Sequence, residues 1–159
     1  MNNRAETANP LGSIPRRRRT AEKKAPPRAV IVHSLDHARL ALAAARAANK
    51  PIVLRSAPGA ASYAGAGWFA AMIARAAREF SGVAFTASLD CGADPGHAMA
   101  ALREGVPLVR LAATKRVRAK IASMAKKSGA ALDEDEEAAL DLLNAADPAG
   151  ALRDWLASA

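Results

Sequence analysis

Residues 86–97 read Thr-Ala-Ser-Leu-Asp-Cys-Gly-Ala-Asp-Pro-Gly-His. They place a carboxylate, Asp90, beside a thiol, Cys91, just ahead of a glycine. A carboxylate at such a place can move protons. A thiol ahead of a helix N-terminus can act as a nucleophile, because the helix end lowers its pKa. The same residues also suit an ordinary turn, with Asp90 accepting backbone N–H groups near Gly92 and Asp94. Three histidines, His33, His37 and His97, are the other titratable candidates near neutral pH. His33 ends an apolar run, so it is the one expected to face a ligand. Ser56 and Gly59 open a Gly-rich loop, 56–65, whose backbone N–H groups suit an anion. That loop has neither the dinucleotide-binding glycine spacing nor the P-loop spacing.

These residues need elements to hold them. Residues 29–33, 51–56, 83–89 and 106–112 are short apolar, β-branched runs, the texture of buried parallel strands. Residues 130–132 are a short fifth candidate. Helices are expected over 35–49, capped by Ser34, and over 68–80. Asp94-Pro95 should open a helix running to about Glu104. Thr114 caps one ending at Gly129, with Val117, Ile121 and Met124 on its core face. Asp133 with Glu136 reads as a capping box for a helix to about Ala145, and Asp147-Pro148 starts a last short helix carrying Trp155 and Leu156.

Alternating strands and helices imply right-handed crossovers and an α/β fold with a parallel sheet of four to five strands. Two architectures fit: half of a (β/α)₈ barrel, or an open doubly wound sheet. A closed barrel takes roughly 250 residues, more than this chain of 159. Either way ligands meet the C-terminal ends of the strands. That selects His33, Ser56 to Gly65, Ser88 to Gly92 and Leu111 to Thr114.

Charge divides the chain. Residues 1–28 carry eight basic and two acidic residues, a balance of +6, and the remainder carries 15 and 13, a balance of +2. Residues 1–27 hold four of nine prolines and few large apolar side chains. They are expected to be a disordered basic tail ahead of one domain over 28–159. Such a tail suits a polyanion. A single cysteine excludes an internal disulfide and a cysteine-rich zinc module. No run is long and apolar enough to span a membrane, and a cytoplasmic protein is expected. Aromatic residues are only 4% of the chain, too few for stacking on single-stranded bases.

Residues 32–73 resemble the first two βα units of the class II, zinc-dependent fructose-bisphosphate aldolases. The likeness runs through Ser34-Leu35-Asp36-His37, Pro51-Ile52-Val53-Leu54-Arg55 and the Ser-x-Gly-Ala-x-x-Tyr-x-Gly pattern ending in Ala60, Tyr63 and Gly65. It continues into Ser88-Leu89-Asp90-Cys91-Gly92, where the family has His-x-Asp-His-Gly. The resemblance implies that Asp90 takes the acid/base place and Cys91 the place of a zinc-binding histidine. It puts Ser88 where the family has another histidine, and Asp135 at the spacing of a metal-binding glutamate. The family's two later histidine ligands have no counterpart, since no histidine follows His97. A catalytic zinc usually needs three protein ligands.

The expectation is therefore an aldolase-like protein without aldolase turnover, binding a small phosphorylated ligand through a remnant site. Zinc enters only if the family site is retained. Two alternatives stand beside it: an active lyase whose metal site is completed in a homodimer, and a protein acting through its basic tail. A half-barrel should also expose strand edges and an apolar inner face, and the helices expected after Asp133 are placed to cover one edge.

Overall fold

The structure, a computed structural model, describes residues 26–158. The tail expected over 1–27 lies almost wholly outside them. Strand β1 (Arg28–Val32) leads through α1 (Leu35–Ala48) to β2 (Ile52–Ser56). The Gly-rich loop holds one short turn of helix, α2 (Ala60–Tyr63), before α3 (Ala66–Glu79) and β3 (Phe85–Asp90). Then follow α4 (Pro95–Arg103), β4 (Leu108–Arg110), α5 (Lys115–Lys127), β5 (Ala131–Leu132), β6 (Leu140–Asp141), a 3-10 turn (Leu142–Asn144) and α6 (Pro148–Ala157).

The helices start where side chains satisfy their free N–H groups. Ser34 accepts from His37 N, Asp94 from Gly96 N and Thr114 from Val117 N, each contact contributing about 1 kcal/mol. Helix α1 stops at Asn49, whose φ of 50° places it in the left-handed region.

All six strands are parallel, in the order β5-β4-β3-β2-β1-β6. From β1 to β5 each new strand adds on the same side, as successive strands of a (β/α)₈ barrel do. The helices pack as one layer, in the order α6-α1-α3-α4-α5. Val30, Ile52, Leu54, Leu89 and Val109 meet Leu42, Phe69, Ile121, Leu152 and Leu156 beneath that layer, all buried. Burying a side chain of this size contributes roughly 1.5–3 kcal/mol.

Three expectations need correction. No helix starts at Asp133. Residues 133–139 run without regular structure from β5 back across the sheet, and the next residues pair with β1 as β6. A capping box needs its first side chain free for the helix N-terminus, and that of Asp133 is committed to the sheet. The face away from the helices is not wholly apolar: Ala29, Ile31, Val53 and Leu108 lie on it, but among polar residues. Alternation along the strands sets Arg55, Ser88, Asp90 and Arg110 on it, and the acidic segment 133–139 covers part of it. On α5 Ile121 and Ala125 are buried and Val117 is half-buried against the core, while Met124 is 40% exposed.

Candidate functional site

The C-terminal ends of β2, β3 and β4 bring Ser56, Gly59 and Asp90 together. Asp90 Oδ1 accepts hydrogen bonds from Gly59 N and Gly92 N, both at 2.9 Å. The Asp90 N–H donates to Ser56 Oγ at 2.9 Å, and the Ser56 hydroxyl donates to Ala57 O. Gly59 and Gly92 have φ of 65° and 57°, a backbone that favours glycine. It lets both N–H groups turn toward one carboxylate. The second oxygen, Oδ2, lies 3.9 Å from Arg110 Nε. Asp90 therefore ties the loop after β2 to the turn after β3.

Cys91 is not beside that carboxylate. Its side chain is 2% exposed within the apolar core and donates weakly to Leu89 O. Burial, with Asp90 and Asp94 adding to it, pushes the thiol up to about 12, so it stays protonated at neutral pH. His33 lies at the other side of the sheet, its Nε2 2.7 Å from Asp141 Oδ1, and its backbone N–H donates to His37 Nδ1. That pair fastens the two-residue strand β6 to β1. Asp135 ion-pairs with Arg55 at 3.2 Å.

Behind Asp90 lies a network that reading the sequence had missed. Arg55, its side chain 7% exposed, directs Nε and Nη2 at the two oxygens of Asp133, at 3.2 and 3.4 Å. Ser88 donates to Asp133 Oδ2 at 2.5 Å, Asp135 N to Oδ1 at 3.2 Å, and Arg110 Nη1 lies 3.2 Å from Oδ1. Burial by itself would raise the Asp133 carboxyl. The Ser88 hydroxyl and the two guanidinium groups outweigh it and hold the carboxyl below its ordinary range. A charge in the middle of a buried strand, Arg55 in Ile52–Ser56, was the available signal, because such a charge requires a buried partner.

Two clefts flank this network. One, of about 270 Å³, is lined by Asp90, Arg110, Leu111, Arg118, Asp133 and Glu134 among others. The second, of about 370 Å³, is lined by Lys115, Arg118, Ala119, Ala122, Leu132 and Glu134. Arg118 ion-pairs with Glu134, so this pair forms the wall common to both.

A zinc ion does not fit these residues. Among the described residues no group of three or more His, Cys, Asp or Glu side chains is placed to hold a metal. The carboxylates nearest Asp90 are already matched to Arg55 and Arg110, and the thiol points into the core.

A one-directional parallel sheet with a polar cluster at its strand ends defines a protein built like part of a (β/α)₈ barrel. A family model described as fructose-bisphosphate aldolase class-II matches residues 18–135. The chain belongs to the class II fructose-bisphosphate aldolase family. A search of curated proteins finds no match. A solved structure from Coccidioides immitis, provisionally assigned as a fructose-1,6-biphosphate aldolase, shares the fold with a TM-score of 0.55 at 21% identity. The alignment covers 67% of this chain and 44% of that one, so the chain matches less than half the length of that relative. Among the described residues no helix is long and apolar enough to cross a membrane.

Proposed function

We propose that this protein is a class II aldolase family member that binds a small oxyanion of the phosphorylated-sugar kind and does not cleave it. The observation that carries this reading is the state of Asp90. Its Oδ1 is held by two backbone N–H groups and its Oδ2 faces Arg110. An aspartate so engaged organises loops and is poorly placed to collect a substrate proton, which requires an acceptor within reach of the reacting group. Asp135, expected at a metal-ligand position, instead pairs with Arg55, as Asp133 does. At these strand ends the two clefts are open to a ligand, and there Arg110, Arg118 and Lys115 supply cations suited to phosphate oxygens, beside the carboxylates of Asp90, Asp133, Glu134 and Glu136.

Calorimetric titration with inorganic pyrophosphate tests the reading. Binding is expected in the native chain and a loss of about tenfold or more in Arg118→Gln. Equal binding in the two proteins would remove these clefts as the site.

A further inference from the structure

We propose that the outward face of α5 is a docking surface for the phosphate backbone of a nucleic acid duplex, bound without regard to sequence. The three cations that carry it, Arg116, Lys120 and Lys127, line neither of the two clefts, so the proposal does not depend on how the clefts are filled.

Charge in the folded domain is sorted rather than mixed. Residues 95–127 hold eight basic residues and one acid, a balance of +7, whereas 29–94 and 128–159 together hold seven and twelve, a balance of −5. Helix α5 carries six of the eight and no acid. Arg118 is paired with Glu134. Arg116, Lys120 and Lys127 are exposed and, among the described residues, have no acidic partner. At about 100° per residue they fall within about 40° of one another around the helix, opposite the buried Ile121 and Ala125.

This arrangement works against the helix itself. Lys115 and Arg116 stand in the first turn, where the helix dipole disfavours cations, and Arg116 and Lys120 repel each other at i, i+4. The neighbouring α4 does not answer them, since Pro95–Arg103 contains no acid and ends in a further arginine. Glu104 lies beside Gly67 of α3. On the other flank Glu134 is held by Arg118, and Glu136 lines the cleft beyond. Helix α5 ends its layer, so that flank has no helix packed on it. Charge without an internal use fits an external anion.

The shape of the row selects the partner. Arg116 to Lys127 spans about 16 Å at 1.5 Å per residue, longer than the roughly 12 Å width of a major groove. Its cations can therefore meet phosphates on both sides of a groove. A lipid surface fits less well. A helix that lies in a membrane interface buries its apolar side there, and the apolar side of α5, Val117, Ile121 and Ala125, is turned to the protein core. Single strands fit less well too, since only 4% of the chain is aromatic and able to stack on bases. Phosphate contacts position a protein and read no sequence.

The experiment follows a fluorescent mixed-sequence DNA duplex of about 20 base pairs by anisotropy, from about 50 to 200 mM salt. It compares three full-length proteins: native, Arg116→Gln/Lys120→Gln/Lys127→Gln, and a control with the same loss of charge on α1, α3 and α6, Arg46→Gln/Arg78→Gln/Arg153→Gln. Glutamine forms helix nearly as well as arginine and lysine, and circular dichroism checks that each variant is folded. The native chain is expected to bind with a steep salt dependence. The α5 variant is expected to lose about 2–3 from the slope of log K against log salt, at about 0.9 per phosphate contact, and the control to keep its slope. Equal slopes in the two variants would overturn the proposal, by assigning the duplex to net charge or to the basic residues of 1–28. Absence of binding by the native chain at the lowest salt would overturn it as well. Vesicles of phosphatidylglycerol that displace the duplex, and that the α5 variant no longer binds, would reassign the surface to lipid and overturn the nucleic acid partner.

Discussion

Asp133→Ala is expected to destabilise the protein by about 3–5 kcal/mol, the cost of leaving one partner of a buried ion pair uncompensated. The Arg55 side chain is 7% exposed and directs two nitrogens at this carboxylate. Asp135, itself 41% exposed, is left as the remaining acidic partner of Arg55 in the network. Ser88 loses its acceptor in the same change. The segment 133–139 would detach with its root, and β6 would be held to β1 by two residue pairs and the His33–Asp141 contact. Chemical denaturation reads the loss directly, and a midpoint equal to that of the native protein would contradict the network.

The same carboxyl predicts a pH dependence whose sign follows from its direction. Its pKa lies below the unfolded value of about 3.9. Its contribution is therefore present above that value and is lost as pH falls through the lower, folded pKa. Glu79 behaves alike, held down to about 2 first by the Arg39 hydrogen bond and then by Arg75. Acid unfolding of the native protein alone does not separate them. The stability difference between native and Asp133→Asn proteins does, because Glu79 is common to both. That difference is expected to be constant from neutral pH to about pH 5 and to shrink below about pH 4.

Asp90→Ala is expected to cost about 2–4 kcal/mol, because two backbone N–H groups lose a charged acceptor at once. Asp90→Asn should cost roughly 1 kcal/mol, since an amide oxygen still accepts from Gly59 and Gly92. This ordering distinguishes a structural clamp from a proton-transfer group. A general base replaced by its amide loses turnover while keeping the fold. A clamp loses stability in proportion to the acceptor removed. If alanine and asparagine at position 90 leave the denaturation midpoint where it is in the native protein, the clamp is wrong.

Much of the fold was legible because each element carried its own local signal. Ser34, Asp94 and Thr114 mark three helix starts by residue type, and the β-branched runs lie within one or two residues of β1 to β4. The α/β class and the parallel sheet follow from the alternation. The failure at Asp133 has a physical cause. Asp133 with Glu136 offers the local pattern of a capping box, and nothing in the neighbouring residues reveals that Arg55, 78 positions earlier, demands a buried partner. A long-range charge requirement overrode a local propensity. The strand β6 went unseen for the same reason, since two residues at 140–141 have no periodicity of their own. Met124 was placed in the core by an i, i+7 spacing. The helix instead buries Ile121 and Ala125, with Val117 half-buried on the same i, i+4 line.

The arrangement of the candidate residues was less legible than the elements that carry them. Ser56, Gly59 and Asp90 do converge. Cys91, the next residue in the chain, does not join them, because successive side chains at a strand end point to opposite faces. His33 and Asp135 each face a partner of their own, Asp141 and Arg55. The arginines of the open face could be seen only as charges out of place until the sheet registered Arg55 against Ser88 and Asp90 against Arg110.

The central claim is a class II aldolase family chain whose acid/base position has become structural. It is tested most directly by assaying fructose-bisphosphate cleavage with the full chain and added zinc. The account predicts no cleavage above the protein-free blank, in native and Asp90→Asn proteins alike. Zinc-dependent cleavage by the native protein that disappears in Asp90→Asn would contradict it.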